Sequence, residues 1–142
     1  MTNGHNSGIT LGLIGTQLMH RQAYSATLSY ERAMDNFDGN EYPAAQSRDA
    51  MNVALSTGRL FYPKRYTGYG NVNINGMIEI LGQQLLGSNK RYIDIAPSVQ
   101  FIFNSQTRVD IGYRHTVYSN MERTAPNGLL LRVEHVMFSV LN

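Results

Sequence analysis

Eight ionisable residues fall on one parity of the chain's alternating segments: Glu31, Glu79, Asp94, Arg108, Asp110, Arg114, Arg132 and Glu134. Gln83, Tyr92, Gln100 and Tyr118 share that parity. The set mixes both signs, so it is not the single-sign ring that selects ions by charge. Its plainer chemistry is structural, with charges pairing and filling a narrow interior. Its sharper chemistry is a solute path lined by both signs. Glu79 and Asp94 are the carboxylates an acid/base pair would use. No nucleophile motif accompanies them, and Gly68-Tyr69-Gly70 reads as a turn rather than a phosphate loop, so an enzyme is not expected. His115 and His135 lie on the opposite, apolar parity, and the sequence places them near one height. A metal there would need more ligands, so neither a metal nor any cofactor is expected.

The elements that must position these groups are strands. Val72, Ile74, Ile78 and Ile80 alternate with Asn73, Asn75 and Glu79. Ile93, Ile95, Val99, Phe101 and Phe103 alternate with Asp94, Ser98 and Gln100, and Val109, Ile111, Tyr113 and Val117 with Arg108, Asp110, Arg114 and Thr116. Successive strand side chains point to opposite faces, so each run has one apolar and one polar face. The pattern predicts seven strands: Ile9 to Leu18, Ala23 to Arg32, Asp49 to Tyr62, Asn71 to Leu85, Tyr92 to Phe103, Arg108 to Tyr118 and Leu129 to Leu141. Most are long against the roughly 5–6 residues of an average strand. A phase break predicts a bulge near Thr57-Gly58. Pro97, lacking an N–H, predicts a broken ladder bond or a bulge.

Composition narrows the class. Charged residues make up 15% of 142 positions, below the ~25% usual for soluble domains. No apolar stretch approaches the ~20 residues of a membrane helix, but a membrane barrel hides its apolarity in alternation. There are no cysteines, and a net charge of +2 without a basic run argues against nucleic acid as a partner. Tyr is the aromatic available for an interfacial belt, and Tyr62, Tyr66 and Tyr69 cluster at one connection. The polar start, Met1 to Gly8, is not a signal peptide, so the expectation is either a mature chain with a replaced Met or, favoured here, the C-terminal portion of a longer chain.

The stretch Tyr92-Ile-Asp-Ile-Ala-Pro-Ser-Val-Gln-Phe-Ile-Phe-Asn-Ser-Gln through Arg108-Val-Asp-Ile-Gly-Tyr-Arg resembles the closing hairpins of bacterial outer-membrane β-barrels. The likeness is at class level and is best over the last seventy or so residues. One departure is the ending Val140-Leu141-Asn142, where many such barrels end on an aromatic that the assembly machinery reads; Phe138 is near. The resemblance implies an all-β fold: an antiparallel up-and-down transmembrane β-barrel, or its C-terminal part, occupying residues 1–142. It also implies the bacterial outer membrane, with lipid and the barrel-assembly machinery as partners. A porin-like transport or structural role follows, with a small solute as cargo and a homo-oligomer or a missing N-terminal half completing the wall. The alternation also suits a soluble lipocalin-like barrel or sandwich that binds a small apolar ligand.

Cross-strand register is set here by turns and charges. The short Asn104–Gln106 turn predicts Gln100 opposite Asp110, Ala96 opposite Arg114, and Asp94 diagonal to Arg114. On the next hairpin, like-charge repulsion favours Glu134 over Arg132 opposite Arg114. The expectation is therefore a ladder running Asp94–Arg114–Glu134.

Overall fold

In the computed structural model, the described residues are 7–35, 47–63, 65, 68, 70–123 and 125–137. They form β1 (Ser7–Met19), β2 (Gln22–Met34), β3 (Asp49–Tyr62), β4 (Asn73–Leu85), β5 (Arg91–Phe103), β6 (Thr107–Ser119) and β7 (Gly128–His135). All seven belong to one sheet in chain order, and every neighbouring pair is antiparallel. The expected up-and-down, all-β architecture is present. Among the described residues β1 and β7 do not pair, so the sheet is an open wall with two edges. β4 starts two residues later than its alternation suggests; β7 ends at His135, before the expected Val136 and Met137, and residues 138–141 lie outside the described set.

Local chemistry sets the reversals. Between β5 and β6, Asn104 and Ser105 both have positive φ, 51° and 57°, and the Gln106 N–H donates to the Phe103 carbonyl at 3.0 Å. Two consecutive left-handed residues match the twist of a tight hairpin, and Asn adopts that region more readily than most residues. Gly87, with φ of 80°, turns β4 into β5. Pro97 interrupts the ladder as expected: pairing with β6 reaches Ile95, after a register shift between Ile93 and Asp94, and resumes at Ser98. The bulge expected at Thr57-Gly58 is absent, and register runs unbroken through both residues. The shift lies instead between Leu60 and Tyr62, leaving Phe61 as the extra residue. A Cβ on Gly76 would collide with the Phe61 ring, so the ring covers a glycine on the neighbouring strand.

The sheet curls towards its polar face. One cleft is shared by Thr10 of β1, Glu31 of β2, Ala50 of β3, Gln83 of β4 and Met121, which follows β6. In a flat sheet β1 and β6 would stand roughly 24 Å apart, five strand spacings. The polar face is therefore concave and the apolar face convex.

Burial is inverted relative to a soluble domain. Ala50, 7% exposed, is the buried apolar residue among those described, and the fully buried side chain is Asp94, at 0%. On the convex face Leu13 is 79% exposed, and Leu28, Val53, Leu55, Ile78, Ile80, Val99, Ile111 and Leu131 are exposed too. The accessible surface is 11020 Å², against about 7,400 Å² for a globular monomer of this mass. Among the described residues the wall has no apolar core of its own.

Candidate functional site

Strand register brings all eight expected polar-face residues to the concave side. Glu31 is opposite Ala50, and Glu79 lies between Ser56 and Ala96. Gln100 faces Asp110, as its turn predicts. Three polar arrays run across the strands. In the first, the Asn52 amide donates to Glu31 at 3.1 Å and accepts from Gln83 at 2.8 Å, joining β2 to β4. In the second, Asn75 donates to Gln100 at 3.0 Å, and Gln100 to Asp110 at 2.7 Å. The Arg132 Nε closes that array on Asp110 at 2.8 Å, so it spans β4 to β7. Strand pleating makes such arrays regular, because every second residue on each strand comes level with its neighbours.

The third array is built around Asp94. Arg114 donates from Nε to Asp94 Oδ2 at 2.5 Å. Arg123 grips the same carboxylate with two parallel bonds, Nη1 to Oδ1 at 2.7 Å and Nη2 to Oδ2 at 2.6 Å. Fork-on-fork pairing of this kind is among the strongest ion-pair geometries. The Arg123 guanidinium also lies 3.9 Å from the Tyr92 ring centroid, within cation–π range. It donates to the Thr116 hydroxyl at 3.0 Å, which in turn donates to the Pro126 carbonyl at 2.7 Å. The Asn127 amide oxygen accepts from the Thr116 N–H at 2.8 Å. The segment after β6 is thus folded against the concave wall and latched through Arg123, whose side chain is 10% exposed. Hydrogen bonds to Asp94 raise the Arg123 pKa above its ordinary value, outweighing the opposing effect of burial, so the latch stays cationic.

The Asp94–Arg114 contact bears out the expected diagonal, but Glu134 does not continue it. Glu134 is opposite Arg108, Arg132 is opposite Asp110, and Arg114 is opposite Gly128. This register matches two opposite-charge pairs across the hairpin where the expected one matched a single pair. It also leaves Arg114 beside the returning segment, where Asp94 has recruited Arg123. Arg123 escaped the sequence reading because it belongs to no alternating run, and nothing local marks it. Tyr118 moves the other way. A register shift between Ile93 and Asp94 sets it opposite Ile93, on the apolar side, with the Arg91 guanidinium 5.7 Å from its ring centroid.

His115 and His135 are not at one height. His115 is opposite Ile95, whereas His135 is opposite Thr107 near the other end of β6 and its Nδ1 lies 2.7 Å from the Thr107 hydroxyl. Among the described residues no group of three or more His, Cys, Asp or Glu side chains is placed to hold a metal. Of the tyrosine cluster, Tyr62 is exposed, and Tyr66 and Tyr69 lie outside the described residues.

No protein-family model, curated protein or solved structure matches this chain.

Proposed function

We propose that this chain is wall material of an outer-membrane β-barrel, with its convex face in lipid and its concave face lining a polar interior, in a passive transport or structural role. The inverted burial carries this reading: the apolar side chains point outward and the charged cluster inward. The convex face also has the right profile along the strands. On β3 the convex residues Met51, Val53, Leu55 and Thr57 are bounded by the charged Asp49 and Arg59. Those bounds are about 34 Å apart along the strand, or about 26 Å across a bilayer at a 40° tilt. Barrel walls carry an apolar band of about 25 Å. Polar side chains flank the band on other strands as well, with Arg32 and Gln84 towards one rim and Gln22 and His135 towards the other.

The direction of curl favours this reading over the soluble lipocalin-like alternative, in which the apolar face would be concave and hold the ligand. Here the clefts open on the polar face. Seven up-and-down strands leave β1 and β7 running the same way, so an all-antiparallel closure takes an odd number of further strands between them. Sedimentation tests the reading. The chain is expected to be monodisperse in detergent micelles and to aggregate without them. A monodisperse monomer in detergent-free buffer would contradict it.

A further inference from the structure

The concave face satisfies its acids with one exception. Asp94 is held by two arginines, Asp110 by Gln100 and Arg132, and Glu31 by Asn52. Glu134 has Arg108 and Arg132 at 4.0 Å. Glu79 is half-buried and has neither an ion pair nor a hydrogen bond among the described residues. Its cross-strand neighbours, Ser56 and Ala96, bring no charge. The arginines of this face make their ion pairs with other carboxylates: Arg114 and Arg123 share Asp94, Arg132 meets Asp110, and Arg108 meets Glu134.

Glu79 lines a cleft of about 470 Å³ together with Met77, Leu81, Ala96 and Leu130, and Arg114 and Asn127 also border it. The volume falls within the ~300–1,000 Å³ of small-molecule sites. Such sites combine apolar walls with a few polar groups that fix orientation, which is the composition found here. A half-buried carboxylate without a donor of its own keeps its oxygens open to a charge-assisted hydrogen bond from a cationic ligand.

Building on the reading of this face as a barrel interior, we propose that the cleft binds small amphipathic organic cations. The ammonium or guanidinium group pairs with Glu79, and a compact apolar body lies against Met77, Leu81 and Leu130. An anion of the same shape meets the Glu79 carboxylate and gains no new ion pair where Arg114 is already bonded to Asp94. A neutral analogue keeps the apolar contacts and loses the ion pair.

Titration of the full chain in uncharged maltoside micelles, followed through the Ser56, Ala96 and Ser98 amide resonances, tests the site. Phenethylammonium is expected to shift these resonances saturably and to bind roughly tenfold or more tighter than 3-phenylpropionate, the scale of a hydrogen bond to a charged group. Glu79→Gln is expected to abolish the preference and Glu79→Asp to retain part of it. Equal binding of the two probes, or a preference that survives Glu79→Gln, would overturn the site. Magnetisation transfer from micelle chains to convex side chains, read on the same samples, reports separately on the barrel reading. Its loss with cation preference intact would overturn the barrel and leave the site standing.

Discussion

Asp94 is the residue on which the third array and the latch of the segment after β6 depend. Its carboxylate is fully buried and takes bonds from Arg114 and Arg123, so its removal leaves two guanidinium groups facing one another without a counter-charge. Breaking a buried pair from one side costs about 3–5 kcal/mol. Asp94→Asn is therefore expected to lower unfolding stability by that order in a urea titration in micelles. Arg132→Gln, removing a side chain that is mostly exposed, is expected to cost about 1 kcal/mol or less. Equal losses in the two variants would contradict a special role for Asp94. The contact with Arg114 was legible in the sequence, because a short turn fixes the register of β5 and β6 and the diagonal follows. Arg123 was not, because a loop arginine has no periodic signal and reaches Asp94 through folding of the whole segment.

At the level of elements, the period-two alternation located seven strands and sorted their faces, since one parity error would have reversed every side chain of a strand. The β6–β7 register was less legible. The connection from Asn120 to Asn127 is not a tight turn, and its length leaves several registers with matched faces. The choice is made by Arg108–Glu134 and Asp110–Arg132 acting together, with Thr116 anchoring Pro126 and Asn127. Tyr118 was misassigned for a related reason, since a shift in register carries a residue to the other face without any change in local sequence. Paired cysteines test the arrangement. Asp110→Cys with Arg132→Cys is expected to form a disulfide readily, because directly opposed strand residues have Cα atoms about 4.5–5.5 Å apart. Arg114→Cys with Glu134→Cys is expected to remain reduced. The reverse outcome would restore the Arg114–Glu134 register.

As a whole the molecule is a curved wall with its apolar side outward, and its stability depends on what covers that side. A charge introduced in the middle of the convex face is therefore expected to cost more than one introduced on the concave face. Ile80→Arg should destabilise the chain in bilayers by about 2–4 kcal/mol, and Ser56→Arg, bordering the cleft, by much less. The contrast is expected to vanish or reverse if the convex face meets water. The most direct test of the central claim is a single-cysteine spin-label scan from Thr107 to Ser119 along β6 in lipid vesicles, read with oxygen and with a water-soluble nickel complex. From Val109 to Tyr113, odd positions are expected to collide mainly with oxygen and even positions with nickel or with neither, in strict alternation. Nickel access at Val109, Ile111 and Tyr113 equal to that at Arg108 and Asp110 would contradict the membrane wall.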